Sequence, residues 1–283
     1  VGQGMNFFDT ANVYNQGASE TILGRALKGR RGRVVLASKI GGKMGPEPDE
    51  AGLSKAAILR AVEASLARIQ TDYLDLCYFH WPNYSVPIEE SLAAMGELVR
   101  QGKVRHVGVS NYASWQHCRM LWTAERDRLP RVGVTQAMFN LLARGIEQEL
   151  LPMCSTCGVS TVVYNPLAGG LLTGKQPAGS PLPGTRFDQN PAYRDRYWHA
   201  ANFEAVRKLE AAAKAAGRSS ISLALGWILH HTSADCVVLG ASRLEQLREN
   251  LQAAAEGPLP AETVAACDAV WADLRGPSPK YNR

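Results

Sequence analysis

No apolar run in this sequence approaches the length of a membrane span, and no signal-peptide pattern opens it at Val1. The charge excess is small: 31 basic against 26 acidic residues, a formal +5 over 283 positions. That balance supplies no basic stripe, and nucleic-acid binding is not expected. The densest cluster, "KGRRGR" from Lys28 to Arg33, separates a helix-like from a strand-like segment and reads as a solvated loop. Metal-ligand spacing is scarce as well. Of six cysteines, Cys154 and Cys157 stand in a CxxC, but no second pair or nearby histidine completes a set, so no metal is expected. Cysteines 77, 118, 236 and 267 mostly fall inside strand-like or helix-like runs, as reduced thiols do in a cytoplasmic protein. No GxGxxG follows a strand, so a Rossmann domain is unsupported.

What is present is enough apolar sequence, 46% against 20% charged, to bury a full core. Strand-like runs alternate with helix-like segments, and no linker or shift in composition divides them. "NFFDT" precedes a predicted helix over Ser19–Leu27, opened by a glycine and an N-cap serine. "RVVLASK" precedes one over Ser54–Ile69, where Ile58, Leu59, Val62, Leu66 and Ile69 keep helical spacing. "YLDLCYFH", "VRHVGVSN" and "GVTQAMFN" precede helices over Pro87–Gln101, Ser114–Arg128 and Glu147–Cys157. "STVVYNP" opens onto a long irregular stretch, Leu167–Trp198, and then helices over Asn202–Ala216 and Ser219–His230. "DCVVLGAS" leads to helices over Arg243–Ala255 and Pro260–Leu274. Short apolar strands separated by helices suit a parallel sheet covered on both faces. The count is seven, one short of a (β/α)8 barrel.

Barrel enzymes keep their chemistry at the C-terminal ends of the strands. Here those ends carry Asp9, Lys39, His80, Ser110 with Asn111, Gln136 with Asn140, Tyr164 with Asn165, and Gly240 with Ser242. Every one can ionise, donate or accept. Tyr14 follows Asp9 closely. A phenol has a pKa of about 10 and is a poor acid at neutral pH unless a cation stabilises the phenolate. Lys39 is placed to be that cation, with Asp9 holding the ammonium and keeping it charged. His80 is placed to hydrogen-bond a bound carbonyl oxygen. A lysine at a strand end often only reaches solvent, and a histidine before Trp-Pro is often structural, so the case rests on the set. Together they would protonate a nascent alkoxide, with the hydride left to a cofactor because no side chain supplies one. Independently, Gly240-Ala-Ser242 joins the last strand to a helix. Its free N–H groups and the helix dipole suit a phosphate, and Arg243 suits a 2′-phosphate. The alternative is an N-capped helix with a surface arginine.

"NFFDTANVY", the Lys39 strand end, "YLDLCYFH", "GKVRHVGVSNY" and "GASRLEQLREN", in that order, resemble the aldo-keto reductases over almost the whole chain. "SNYASW", "YNPLAGGLLTGK" and a tail ending in Tyr-Asn-Arg are most similar to the aflatoxin-aldehyde and succinic-semialdehyde reductase branch. The resemblance implies a single domain over residues 1–283, an α/β fold of the (β/α)8 TIM type, reducing aldehydes and ketones with NADPH. It implies Tyr14 as general acid, Lys39 and Asp9 as its tuning pair, and His80 orienting the carbonyl. Ser110, Asn111 and Gln136 match positions that hold the nicotinamide carboxamide, and Tyr164 the aromatic on which the ring stacks. Asn165, Pro166, Leu167 and Gly170, with Lys175 and Arg186, match the pyrophosphate wrap. Gly240, Ser242, Arg243, Gln246, Glu249 and Asn250 match the adenine end.

Trp81, with Phe187, Tyr193, Tyr197 and Trp198, is expected to wall an apolar pocket, and Arg283 in the tail "PKYNR" to clamp a substrate carboxylate. The expected partner is a small-molecule carbonyl, with a homodimer as the candidate assembly. In the family, a hairpin, a first strand and most of a first helix precede "GMNFFDT", and the expected barrel lacks those parts. Two other readings stand beside this one. The family includes cofactor-bearing β subunits of potassium channels, so a non-catalytic NADP-binding module is one. A Schiff-base aldolase using Lys39 is the other, and it leaves the Gly240–Asn250 segment without a purpose.

Overall fold

A computed structural model of the protein describes residues 2 and 4–277. The chain folds into two compact units, one holding Val1–Gln136 and Thr156–Ser160, the other Ala137–Ser155 and Thr161–Arg283. In the first unit β1 (Phe7–Asp9), β2 (Val35–Ile40), β3 (Leu74–Phe79), β4 (Val104–Ser110) and β5 (Val132–Met138) succeed one another. Each is parallel to the next. Between them run α1 (Ala18–Leu27), α2 (Lys55–Ile69), α3 (Ile88–Arg100) and α4 (Ser114–Arg126).

Side chains alternate across a strand, so the register sorts each residue to a face. Leu36, Ile40, Cys77, Phe79, Val107 and Val109 take the face that packs under the helices, with Ile58, Val62, Leu92, Met95 and Leu98. The opposite face aligns Ala37 with Leu76, Lys39 with Tyr78, Tyr78 with Gly108 and Ser110 with Gln136. A small cluster of Ala37, Leu76 and Tyr78, with Phe7 and Val134, fills its middle. Gly108 makes the Tyr78 ring possible: a Cβ there would lie 2.6 Å from Tyr78 Cδ1.

Helix α1 starts earlier than the sequence suggests, and its cap is not Ser19. Gly17 holds the N-cap position at φ 85°, a left-handed conformation natural to glycine. A Cβ on it would meet Arg68 Cδ at 2.6 Å. Ser19 instead lies inside the helix, its hydroxyl 2.8 Å from that of Thr10. The next residue, fully buried Glu20, accepts from Ser38 Oγ at 2.5 Å and from Arg68 Nε at 2.7 Å, joining α1, β2 and α2. The basic cluster is only partly solvated. Arg31 reaches Asp75 at 2.7 Å, and both Arg31 and Arg105 stack on the Tyr73 ring, at 4.0 and 3.8 Å.

The helix α5 (Leu150–Cys157) and β6 (Ser160–Tyr164) follow β5. The second unit contains α6 (Arg186–Gln189), α7 (Pro191–Tyr197), α8 (Ala200–Ala215), α9 (Ser220–His231), β7 (Cys236–Val237), α10 (Leu244–Ala254) and α11 (Ala261–Arg275). Its core gathers Phe139, Val163, Leu171, Phe187, Leu209, Trp227 and Ile228. The stretch 167–198, expected to be irregular, contains α6 and α7, too short at four and seven residues to declare a period. The last strand is shorter than expected. Asn165, at φ 65°, turns the chain out of β6, so β7 pairs only at Cys236 and Val237 before Val238 N–H closes on the Val163 carbonyl at 2.8 Å. A complete (β/α)8 barrel takes eight strands; the described residues hold seven, the number counted from the sequence.

Candidate active site

The parity of the strands brings the first unit's candidates together. Asp9 pairs in register with Ala37, and Lys39 lies two residues further along β2, so both project to one face. Lys39 is buried, 1% exposed, and its ammonium donates to Asp9 Oδ1 and to the Thr10 carbonyl at 3.1 Å. Gln136, at the end of β5, donates from Nε2 to the other Asp9 oxygen, Oδ2, at 2.9 Å. Asp9 is thus held from two sides. The sequence did not reveal this second contact, because Gln136 was matched to a nicotinamide carboxamide and lies far from Asp9 along the chain.

The Lys39 ammonium lies 5.3 Å from the centroid of the Tyr14 ring and 5.6 Å from that of Tyr78. Tyr14 is 42% exposed, so the ion pair is dry while the phenol meets solvent. Burial lowers the Lys39 pKa from its ordinary value, and the Asp9 charge and hydrogen bond oppose that shift in favour of the ammonium.

His80 closes the set. Its ring meets Tyr14 edge-on at 5.8 Å and stacks on Trp81 at 4.3 Å. Burial, then the Lys39 charge, pushes its pKa down to about 3. The ring is neutral at physiological pH, and its buried Nδ1 has no hydrogen-bond partner among the described residues. The backbone beneath is fastened on both sides: His80 N–H donates to Ile40 O at 2.9 Å, and its carbonyl accepts from Asn111 Nδ2 at 3.0 Å. Asn111, at φ 64°, reaches Ser110 Oγ at 3.1 Å as well, and its own N–H donates to Gln136 O at 3.0 Å. Trp81, 41% exposed, flanks the loop after β2, where Gly42 has no room for a Cβ: Val13 Cγ1 would lie 2.1 Å away and Trp81 Cη2 3.2 Å.

In the second unit the segment after β6 is built by a network the sequence did not disclose. Asn140 Nδ2 donates to Asn165 O and to Tyr197 Oη, both at 3.0 Å, and Asn165 Nδ2 donates to Tyr197 Oη at 3.2 Å. Asn165 Oδ1 accepts from Gly169 N–H at 3.2 Å, and Gly169 and Gly170 both turn left-handed, at φ 70° and 104°. Tyr164 is half-buried ahead of this turn, which raises its pKa from the ordinary value. Pro166 is buried, and Leu167 packs into the core.

Several expected contacts are already engaged within the chain. Arg186 lies over the Tyr193 ring at 5.0 Å and donates to its hydroxyl at 3.2 Å. Lys175 pairs with Glu249 at 3.8 Å. The proposed pocket wall is corrected in two members: Phe187 and Tyr197, at 0% and 1% exposure, belong to the core. At the head of α10, the Ser242 N–H is not free, since Gln246 Oε1 accepts it at 3.0 Å. Arg243 is exposed at the N-cap, Gly240 borders open space, and Asn250 is buried. Arg283 lies outside the described residues. Among the described residues no group of histidine, cysteine and carboxylate side chains could hold a metal, and no helix is long and apolar enough to cross a membrane.

The model of the aldo/keto reductase family matches residues 1–272. Aflatoxin B1 aldehyde reductase member 2 of Rattus norvegicus is 38% identical over 99% of this chain and 80% of its own. Aldo-keto reductase family 7 member A3 of Homo sapiens is 38% identical, over 99% of this chain and 89% of its own. A probable voltage-gated potassium channel subunit beta of Arabidopsis thaliana is 35% identical, over 90% and 80%. The chain belongs to the aldo/keto reductase family of oxidoreductases.

Proposed function

We propose that the protein reduces aldehydes and ketones to alcohols with NADPH, using Tyr14 as the general acid. The observation that carries this reading is the dry Lys39–Asp9 pair beneath a solvent-facing phenol, with a neutral imidazole beside it. As a carbonyl oxygen gains charge, Tyr14 gives it a proton, and the Lys39 ammonium stabilises the tyrosinate left behind. Asp9, gripped by Gln136, fixes where that ammonium sits. His80 acts as a neutral donor. In this reading the ring carries its one proton on Nε2, and a pKa near 3 keeps the second proton off, so it orients the carbonyl without competing as an acid.

The second unit has groups that fit the cofactor. Exposed Arg243 at the head of α10 suits a 2′-phosphate, the left-handed Gly169–Gly170 turn suits a pyrophosphate, and half-buried Tyr164 suits a nicotinamide face. When bound, NADPH supplies the hydride, which no side chain can. Our reading of the substrate is a short aldehyde with a distal carboxylate, clamped by Arg283, with dicarbonyls and aromatic aldehydes tolerated. Removing Arg283 should then raise KM for succinic semialdehyde far more than for a neutral aldehyde of equal length.

Tyr14→Phe tests the mechanism. It should keep NADPH binding, followed by cofactor fluorescence, and lose aldehyde turnover by orders of magnitude. Turnover within a few-fold of the parent would remove Tyr14 from the role of acid. The likeness to potassium channel β subunits supports a second reading, an NADP-binding module without turnover. It predicts cofactor binding by the parent protein with no reduction of any aldehyde in a broad panel.

A further inference from the structure

We propose that Tyr78 is a positioning residue for the Lys39 ammonium, holding it by the face of its ring. Its role rests on the reading of Lys39 as the cation behind Tyr14. Tyr78 itself lies inside β3, two residues before His80, where the strand-end pattern does not mark it. Asp9, Tyr14, Lys39, Tyr78 and Gly108 all belong to the first unit.

Three strands set the geometry. Lys39 on β2 stands in register with Tyr78 on β3, and Tyr78 with Gly108 on β4. The Lys39 Nζ lies 5.6 Å from the centroid of the Tyr78 ring, inside the range of about 6 Å over which a ring face attracts a cation. Tyr14 meets solvent, but Tyr78 is fully buried, and the attraction is stronger where water is excluded. The row is also built around this ring. A Cβ on Gly108 would lie 2.6 Å from Tyr78 Cδ1 and 2.7 Å from Cε1, so any side chain there would displace it. Glycine inside a strand weakens it, and here the sheet gives up a packing group at 108 to seat an aromatic beside Lys39. Smaller groups, Ala37 and Leu76, fill the rest of this cluster.

A ring is the right chemical type for that place. The titratable groups facing Lys39 are Asp9 from β1, Tyr14 from the turn after it, and His80 after β3, which is neutral at physiological pH. Burial works against the ammonium and lowers its pKa. A second carboxylate would oppose that shift, but it would leave the site with a net negative charge and disfavour a tyrosinate at Tyr14. The negative face of an aromatic ring stabilises a cation while carrying no net charge. Tyr78 therefore supports the ammonium without cancelling the field that Tyr14 needs.

The test changes the electrons of the ring and keeps its shape. Phenylalanine and its mono-, di- and trifluorinated forms are placed at position 78 of the full chain by stop-codon suppression, each fluorine drawing density from the ring face. Ionisation of Lys39 is followed by NMR of lysine labelled at Cε, with Lys39→Met assigning the signal. Tyr78→Phe should leave the acid dissociation constant of Lys39 within about twofold of the parent, and fluorination should raise it stepwise, to about tenfold for the trifluorinated ring. Thermal unfolding checks that each variant is folded. With NADPH and an aldehyde, kcat should fall in the same order while NADPH affinity is unchanged. A Lys39 constant indifferent to fluorination in folded protein overturns the proposal. A constant that follows fluorination while kcat stays level keeps the contact and instead removes Lys39 from the mechanism of Tyr14. If the parent shows no turnover, the Tyr14 reading fails and the Lys39 signal still decides the contact.

Discussion

The Asp9 carboxylate is the point at which stability and chemistry meet, and Asp9→Asn separates the two. The substitution keeps shape but removes the charge paired with Lys39, in a site where the two side chains are 1% and 5% exposed. Breaking a buried pair by removing one partner costs about 3–5 kcal/mol, because the surviving charge stays desolvated. Geometry adds to this. Asp9 accepts from Lys39 on one oxygen and from Gln136 on the other, whereas an asparagine must turn an N–H2 toward one of these donors. Lys39→Met in the Asp9→Asn background removes the stranded charge, and the double variant should recover most of the loss.

The pH dependence has a definite sign. The folded Lys39 pKa already lies below the ordinary 10.5, and losing Asp9 removes the forces that hold it up. Between the lowered folded value and 10.5 the unfolded chain binds more protons, so unfolding free energy rises with pH, by at most about 1.4 kcal/mol per pH unit. Urea unfolding of the parent, both single variants and the double variant at pH 7 and pH 9 measures all of this. The penalty of Asp9→Asn should shrink at the higher pH. A loss below about 1 kcal/mol at pH 7, or a penalty that grows with pH, would refute the argument that burial dominates this pair.

His80 should show the complementary profile. With a folded pKa of about 3 and an ordinary value of 6.5, stability is lost as pH falls through that window, by up to about 5 kcal/mol, and His80→Gln should flatten the curve; an imidazole NMR signal that titrates near pH 6 would contradict it. Arg243→Ala should weaken NADPH by roughly 1.5–3 kcal/mol and leave NADH nearly unchanged, and equal losses in a cofactor titration would assign the arginine to the helix alone. Gly24→Ala should destabilise by about 1–3 kcal/mol, since its Cβ would sit 2.1 Å from the Ile69 carbonyl oxygen; an unchanged melting temperature would mean α1 and α2 separate freely.

What the sequence could and could not disclose follows from the range of each signal. Strand ends and helix faces are local, so Asp9, Lys39, His80, Ser110 and Gln136 were legible as polar residues terminating apolar runs. The sharing of a face by Asp9 and Lys39 follows from strand parity once β1 and β2 pair in parallel. The Gln136–Asp9 bond was not legible. It depends on the register of five strands, including a shift between Val107 and Gly108 that no local pattern announces. Aromatic composition was ambiguous in the same way. Phe187 and Tyr197 read equally well as pocket or core, and burial decides for core. The cysteines show the limit most sharply. Spacing within one helix pointed to Cys154 and Cys157, because three residues apart is close in any helix. Arg131 and Val132 instead fasten the Cys157 backbone and His117 on α4 to one strand start. Contacts of that kind are set by tertiary register, and their chemistry becomes visible only when the strands are assembled.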